Sequence, residues 1–172
     1  MSAGDAERLG ARRALSTGDY LTAFDFVQSA LEAGVADTEL RYVGVLALAR
    51  SGATAKACEL YEEWALADQP ANDALASDLL ALRARLDKDL ALASGDVDLA
   101  ARSAAGYANV HERFGGSYPA VNAATLWRLA GMDTEADRWA DIALGELGTT
   151  DSDYWQEATA AEAHLVRADV DA

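Results

Sequence analysis

The sequence is short of the residues that mark disulfide-bonded, metal-binding and membrane proteins. Its 172 residues include one cysteine, two histidines and two prolines. A single cysteine cannot form an intramolecular disulfide, and two histidines provide little for an imidazole metal site. No apolar run approaches the ~20 residues that span a bilayer, and the N-terminus lacks the apolar segment of a signal peptide. We therefore expect a cytoplasmic domain without a metal ion or cofactor.

Basic residues are also scarce. Lysine and arginine total 14 against 29 acidic residues, which gives a formal net charge of −15. Such a surface repels nucleic acid and anionic lipid, so we expect neither nucleic acid nor a membrane as a partner. Hydrophobic residues make up 51% of the chain, which is enough to build a continuous core.

Motifs of catalysis are missing as well. No glycine-rich phosphate loop and no serine nucleophile elbow is present. His111 falls on an apolar stripe between Tyr107 and Phe114, so we expect it to pack and hydrogen-bond in the core. We predict that the chain is not an enzyme and has no catalytic residue. The alternative is an active site built on His111 or His164 with nearby carboxylates.

What the sequence does contain is one short pattern, repeated four times: a glycine followed five residues later by an alanine. Each glycine closes one amphipathic stretch and opens another, so it marks a turn that tolerates positive φ. The pattern predicts an all-α solenoid of about four helical hairpins plus a C-terminal capping helix. The four pairs are Gly18 with Ala23, Gly52 with Ala57, Gly95 with Ala100, and Gly131 with Ala136.

The helical periodicity predicts a single domain over residues 1–172. Asp19 is expected to start a helix as its acidic first residue, and Thr38 and Ser117 are expected to cap the N-termini of theirs. The hairpins are expected at about 5–33, 38–66, 73–114 and 117–147, with the capping helix at about 151–167.

The capping helix itself carries a stripe at helical spacing. Thr150, Asp151 or Ser152 is expected to start this helix. The stripe is expected to cover the exposed end of the stack, because a hairpin alone cannot bury both of its faces. It consists of Tyr154, Ala158, Ala161 and Leu165.

These features resemble the tetratricopeptide repeat, in which a turn glycine precedes a small residue and large residues pack between two helices. The first hairpin matches at Gly18, Ala23 and Ala30. The second matches at Gly52, Ala57, Tyr61 and Trp64. The resemblance implies a helical scaffold that interacts with other proteins.

A narrower resemblance involves three segments: ALRARLDKDLALASGD at 81–96, FGGSYPAVNAATLWRLAG at 114–131 and DYWQEATAAEAHL at 153–165. They resemble the TRAFs-binding domain of apoptosis signal-regulating kinases and of many bacterial signalling proteins. That resemblance implies a non-catalytic scaffold attached to an effector such as a kinase or nucleotide cyclase. The chain is then expected to be either a stand-alone adaptor or a fragment of a longer protein.

Charge is distributed unevenly between the two helices of the hairpins. The four first helices carry nine basic and seven acidic residues, whereas the four second helices carry four basic and fourteen acidic residues. In tetratricopeptide repeats the first helices line the inner curve, so we predict a concave groove that binds carboxylates through arginine. The alternative is that these arginines pair with nearby acids and only solubilise the surface. The predicted partner contacts are Arg12, Tyr42, Arg85, Tyr118, Asn122, Thr125 and Arg128.

The expected partner is a protein or peptide, including an effector domain in the same or another chain. One alternative is a homo-oligomer joined by exposed aromatic residues such as Trp127 or Trp155. Another is a sensor pocket for a small anionic ligand. Within the long third helix, Arg85 and Asp89 are expected to form a partly buried ion pair.

Overall fold

The computed structural model describes residues 3–35, 37–69, 71–147 and 154–168. Within these ranges the chain forms nine α-helices and one short 3₁₀ helix, without a strand, which confirms the predicted all-α, tetratricopeptide-like fold. No helix in these ranges is long and apolar enough to cross a membrane. The α-helices are α1 (Ala3–Ser16), α2 (Tyr20–Glu32), α3 (Thr38–Arg50), α4 (Thr54–Glu63), α5 (Asp73–Ser94), α6 (Val97–Phe114), α7 (Ser117–Leu129), α8 (Asp133–Gly145) and α9 (Tyr154–Val166); the 3₁₀ helix is Leu66–Asp68.

The repeated glycines lie in the left-handed turns that the pattern predicts. Their φ values run from +71° to +87° at Gly18, Gly52, Gly95 and Gly131. After Gly18, the N–H of Asp19 donates to the carbonyl of Ala14 at 2.9 Å, which closes the end of α1 in a Schellman-type cap. Side chains are strained at such φ values, so glycine is required there.

The alanine five residues after each glycine is buried in every case, with at most 3% of its surface exposed. A methyl group at this position lets the second helix of each hairpin approach its neighbour closely. Gly44 in α3 serves the same purpose, since a Cβ there would lie 2.9 Å from Val27.

The helix starts differ from the prediction at two of three positions. Asp19 caps α2 as expected, accepting a hydrogen bond from the Thr22 N–H. At α3, however, Asp37 is the cap and Thr38 is the first helical residue, because the Asp37 carboxylate accepts from the Leu40 N–H at 2.9 Å. Ser117 likewise begins α7 without a side-chain capping bond. The expected start of α9 at 150–152 lies outside the described residues.

The chain divides into two compact units, residues 1–82 and residues 83–172, and the boundary falls within α5. The single domain over 1–172 stays a prediction. In unit 1, α2 packs against α1 and α3, α3 packs against α4, and α1 also contacts α3. The core of this unit contains Ala11, Val27, Ala30, Leu40 and Val43, with Tyr42 and Trp64 packed against it.

In unit 2, α7 lies at the centre and contacts α6, α8 and α9, while α8 also contacts α9. α6 lies close to the C-terminal half of α5: the Ser103 hydroxyl donates to the Ala84 carbonyl at 2.6 Å, and a Cβ at Gly106 would lie 3.0 Å from Ala84. The largest fully buried side chains of this unit are Tyr107, Leu86, Leu126, Val121 and Ser103.

The orientation predicted for α9 is wrong. This helix buries Ala163 and Val166, whereas the predicted covering stripe faces solvent, with Tyr154 and Leu165 about three-quarters exposed. Because α9 is rich in alanine and has apolar residues on opposite sides, its periodicity alone does not distinguish the buried face from the exposed one.

Candidate binding sites on the first helices of the hairpins

Unit 1 contains a polar cleft, which we call the α1–α3 cleft, with a volume of about 230 Å³. Two predicted contact residues, Arg12 from α1 and Tyr42 from α3, both line it. The packing of α1 against α3 brings these two side chains together. The other lining residues come from α3, from the residues before α5 and from its first two turns: Glu39, Asn72, Ala74, Leu75 and Asp78.

The cleft combines both signs of charge. Arg12 forms an ion pair with Glu39, and 61% of the Arg12 side chain remains exposed. Asp78 is partly buried, and this desolvation raises the pKa of its carboxyl above the usual value. The cleft therefore presents a guanidinium, carboxylates, an amide and an aromatic face, which suits a peptide more than a simple anion.

Unit 2 contains a second polar group of residues, which we call the Tyr107 cluster: Arg85, Lys88, Asp89, Tyr107, Tyr118 and Asn122. Lys88 Nζ donates to Asn122 Oδ1 at 2.8 Å, and Asn122 Nδ2 donates to the Tyr118 carbonyl at 2.9 Å. The rings of Tyr107 and Tyr118 meet edge to face with centroids 6.1 Å apart. Lys88 Nζ also lies 5.7 Å from the Tyr107 ring centroid.

Three predicted contacts, Arg85, Tyr118 and Asn122, thus lie in one cluster. The predicted ion pair is confirmed, with Arg85 Nε 3.5 Å from Asp89 Oδ2 and both side chains partly buried. Tyr118 is 56% exposed, so it offers solvent a large aromatic surface within this cluster. Lys88, one of the nine basic residues on the first helices, was not among the predicted contacts.

At the base of this cluster, Tyr107 is completely buried. Burial raises the pKa of its phenol far above the ordinary value, Tyr118 and Asp89 raise it further, and Arg85 opposes them. Its hydroxyl is enclosed, and the Tyr118 side chain is the polar group that interacts with it.

The remaining two predicted contacts, Thr125 and Arg128, lie against α9. The Thr125 hydroxyl donates to Glu162 Oε1 at 2.6 Å. Arg128 donates to the Val166 carbonyl from Nε at 3.1 Å and from Nη2 at 2.7 Å, and it also pairs with Asp133 and Asp137. These bonds hold the C-terminal end of α9 against α7. A partner-binding role for Thr125 and Arg128 stays a prediction.

Asp87 is a polar residue whose importance the sequence did not reveal. Its side chain is 5% exposed and accepts hydrogen bonds from Arg102 Nε at 2.9 Å and Nη2 at 2.7 Å, and from Arg83 at 3.2 Å. The four-residue spacing of Arg83 and Asp87 was a visible signal, whereas the contact with Arg102 depends on the packing of α6. This bidentate pair joins α5 to α6.

His111 lies where the apolar stripe placed it. Its ring meets Trp139 edge to face with centroids 5.4 Å apart, and its Nε2 is 3.1 Å from Glu146 Oε1. The histidine therefore packs and hydrogen-bonds against α8 as expected, but it lies at the edge of the core rather than within it, since its side chain is 15% exposed and that of Glu146 is 40% exposed.

The packed hairpins, glycine turns and buried small residues define a tetratricopeptide-like repeat protein. In agreement, residues 19–127 match the family model TPR-S, Tetratricopeptide Repeats-Sensor. This match covers more than half of the chain, which therefore belongs to the TPR-S family. Comparisons with curated proteins and with solved structures gave no match. The resemblance to the TRAFs-binding domain is not confirmed and stays a prediction.

Proposed function

We propose that the chain is a non-catalytic interaction module that binds an acidic peptide segment through the first helices of its hairpins. The family description, a tetratricopeptide-repeat sensor, supports a protein-interaction or sensing role. The observation that carries the specific proposal is a recurring pair of residue types. Each unit, taken by itself, groups a cation and a tyrosine of its first helices at one polar site: Arg12 and Tyr42 line the α1–α3 cleft, and Lys88 is linked to Tyr118 through Asn122.

In unit 1 the peptide would lie in the α1–α3 cleft. Arg12 is exposed enough to exchange its bond with Glu39 for a bidentate bond with a carboxylate of the peptide. Tyr42 provides a rigid aromatic contact, and Asn72, whose Oδ1 accepts the Leu75 N–H at 3.0 Å, can donate from its Nδ2 to a peptide carbonyl.

In unit 2 the peptide would contact the exposed edge of the Tyr107 cluster. Lys88 and Arg85 provide positive charge, and Tyr118 provides exposed aromatic area. Cations matter here because the chain as a whole carries a net charge of −15 and repels acidic segments elsewhere. Local positive charge would thus direct an acidic peptide to this part of the surface.

The test is a selection of peptides from a displayed random library against the full 172-residue chain. We expect enriched peptides to contain Asp or Glu, and the affinity of one such peptide, measured by calorimetry, to fall at least tenfold in Arg12→Ala or in Arg85→Ala with Lys88→Ala. Arg138→Ala is the matched control, since Arg138 is exposed and paired with Glu135 on a second helix. Equal affinity in all variants would contradict the proposal. Arg128 is not used, because its substitution would also release α9.

The source of the peptide would be an effector. The resemblance of residues 81–165 to the TRAFs-binding domain supports an effector such as a kinase or nucleotide cyclase, in the same or another chain, within a bacterial signalling protein. Sequencing the genomic region around the reading frame tests this point. A neighbouring or fused effector reading frame is expected, and its absence in several independent genomes would contradict it.

A second candidate function is a sensor site for a small anion at the Tyr107 cluster. The specific observation in its favour is the pair of cations in this cluster, with Lys88 Nζ 5.7 Å from the Tyr107 ring centroid and Arg85 close enough to influence the Tyr107 phenol. Titration with inorganic phosphate and with ATP, followed by protein NMR, tests it. Chemical-shift changes confined to α5–α7 that disappear in Lys88→Ala would support an anion site. Unchanged spectra at high concentrations of phosphate and of ATP would show that neither of them binds.

A further inference from the structure

A small pocket, which we call the Arg41 pocket, lies in unit 1 at the turn between α2 and α3. It has a volume of about 220 Å³ and is lined by Leu31, Gly34, Val35, Arg41 and Trp64. None of these residues lines the α1–α3 cleft, so the two sites are distinct. A Cβ on Gly34 would meet no atom of the described chain within 4 Å, which leaves the space over this turn open to a ligand.

Arg41 has a positive charge that the described chain leaves unbalanced. Its Nε is enclosed without a hydrogen-bond partner, and no carboxylate of the described residues lies within ion-pair distance of its guanidinium. A guanidinium remains protonated in proteins, so this charge persists. The other partly buried arginines of the described chain each pair with a carboxylate: Arg8, Arg83, Arg85 and Arg128.

The carboxylate closest to Arg41 in the sequence is bound elsewhere. Asp37 precedes Arg41 by four residues, a spacing at which the two side chains can pair. Instead, Asp37 Oδ2 lies 3.2 Å from Arg8 Nη2, and Asp37 Oδ1 accepts the Leu40 N–H at 2.9 Å. The position beside the Arg41 guanidinium is therefore available to the carboxylate of a bound molecule.

The other walls of the pocket are apolar and are held by the core. Leu31, Val35 and Trp64 all pack against the core of unit 1. Arg41 and Gly44 lie three residues apart, and therefore on one face of α3. A Cβ at Gly44 would lie 3.4 Å from the Trp64 ring, so the indole lies against this face about one turn from Arg41. The pocket thus places one cation beside an aromatic ring and two aliphatic side chains.

We propose that the Arg41 pocket binds a small monocarboxylate that carries a short apolar group. One guanidinium balances one negative charge and matches the two oxygens of a carboxylate. A phosphate dianion would require a second cation, and the described lining contains none. The indole and the aliphatic side chains would contact the apolar group. At ~30 Å³ per water molecule the volume corresponds to roughly seven waters, which limits the ligand to about eight non-hydrogen atoms.

Titration of the full 172-residue chain with 4-methylpentanoate, followed by protein NMR, tests the proposal. We expect chemical-shift changes at residues 31–41 and at Trp64. Two further ligands separate charge from apolar contact: 4-methylpentanamide keeps the apolar group without the charge, and acetate keeps the charge without the apolar group. Each is expected to bind at least tenfold more weakly than 4-methylpentanoate. Unchanged spectra with 4-methylpentanoate, or equal binding of the acid and the amide, would overturn the proposal.

A peptide that ends in leucine presents the same chemistry as the free acid. N-acetyl-glycyl-leucine, titrated in the same way, distinguishes the two sources of the carboxylate. We expect it to bind more weakly than 4-methylpentanoate, because its size exceeds the volume of the pocket. Tighter binding of N-acetyl-glycyl-leucine would show that the pocket takes the end of a peptide chain, and would overturn a free acid as the ligand.

Arg41→Gln tests the role of the guanidinium. We expect its affinity for 4-methylpentanoate to fall at least tenfold, because glutamine provides neither the charge nor the paired donors of arginine. Arg50→Gln is the matched control, since Arg50 is exposed in the last turn of the same helix, and it is expected to bind like the wild type. Equal losses in the two variants would contradict the proposal. If circular dichroism shows that Arg41→Gln does not fold, the comparison of acid and amide on the wild type decides the question.

Thermal stability separates a binding arginine from a structural one. Arg41→Met removes an unbalanced charge from a partly buried position and keeps an apolar stem, so we expect its Tm to equal or exceed that of the wild type. Saturating 4-methylpentanoate is expected to raise the Tm of the wild type but not that of Arg41→Met. A Tm several degrees lower in Arg41→Met would show that Arg41 bonds within its own chain, and would contradict a ligand-binding role. This proposal is independent of peptide binding, because it involves neither the α1–α3 cleft nor the Tyr107 cluster.

Discussion

The two halves of α7 carry similar polar residues but place them in different surroundings. In the N-terminal half, Asn122 is buried and bonded to Lys88 and to the Tyr118 carbonyl, whereas the Tyr118 side chain is left facing solvent, with 56% of the residue exposed. In the C-terminal half, Thr125 and Arg128 donate hydrogen bonds to α9. The neighbouring helix explains the difference. α9 lies against the C-terminal half of α7, and its groups accept the hydrogen bonds of Thr125 and Arg128. A polar residue on a first helix is available to a partner only where its own chain does not already bind it.

The largest effect on stability is expected at Asp87, because this nearly buried carboxylate is bonded to two arginines of its own chain. Asp87→Ala removes the acceptor of two arginines from a nearly buried position, and we expect the free energy of unfolding to fall by about 2 kcal/mol in urea denaturation. The exposed Arg102 can be solvated after the substitution, which keeps the loss below that of a fully buried pair. Glu135→Ala, which breaks an exposed pair with Arg138, is the control and should cost less than about 0.5 kcal/mol.

Arg128→Ala examines the C-terminal half of α7 directly. It removes both donors to the Val166 carbonyl, so we expect amide hydrogens of α9 to exchange severalfold faster while those of α5 and α6 keep their rates. Hydrogen exchange followed by mass spectrometry measures both regions in one experiment. Unchanged exchange in α9 would mean that these bonds do not hold the helix, and Arg128 would again be a candidate partner contact.

Tyr107→Phe examines the base of the N-terminal half. Because the buried hydroxyl makes no hydrogen bond among the described residues close enough to offset its desolvation, its removal is expected to raise the free energy of unfolding by at most about 1 kcal/mol. A clear loss of stability would instead show that the hydroxyl makes a stabilising bond in solution.

The same variant is expected to change how the stability of the protein depends on pH. The pKa of Tyr107 is raised in the folded state, so the folded protein retains a proton that the unfolded chain loses above about pH 10. The unfolded chain then binds fewer protons, and stability falls as pH rises through this range. Tyr107→Phe is expected to lose part of that alkaline decline, which thermal melts between about pH 9 and pH 11 would measure.

Local features of the fold were predictable from the sequence because they depend on a few neighbouring residues. A glycine at positive φ followed by a buried alanine is set by backbone geometry and close packing, and both were confirmed in all four hairpins. The i, i+4 spacing of Arg85 and Asp89 likewise predicted an ion pair that the structure contains.

Features that depend on a distant helix could not be predicted in the same way. The sequence gives no sign that Arg102 would reach Asp87, or that Val166 would present its carbonyl to Arg128. The orientation of α9 was also missed, because apolar residues lie on both of its faces and only its packing against α7 and α8 selects the buried one. The predicted contacts therefore needed the structure to separate those bound by their own chain from those near open surface.

The smallest effect is expected at Arg12, the exposed counterpart of Arg128. Its pair with Glu39 is open to solvent, so Arg12→Ala should change the free energy of unfolding by no more than about 0.5 kcal/mol. The same substitution is expected to weaken peptide binding, and this combination is what distinguishes a contact residue from a structural one. Urea denaturation of Arg12→Ala beside Arg128→Ala measures the contrast. If Arg12→Ala destabilises the protein as much as Arg128→Ala does, then both arginines act within the fold and the α1–α3 cleft loses its main candidate for binding a carboxylate.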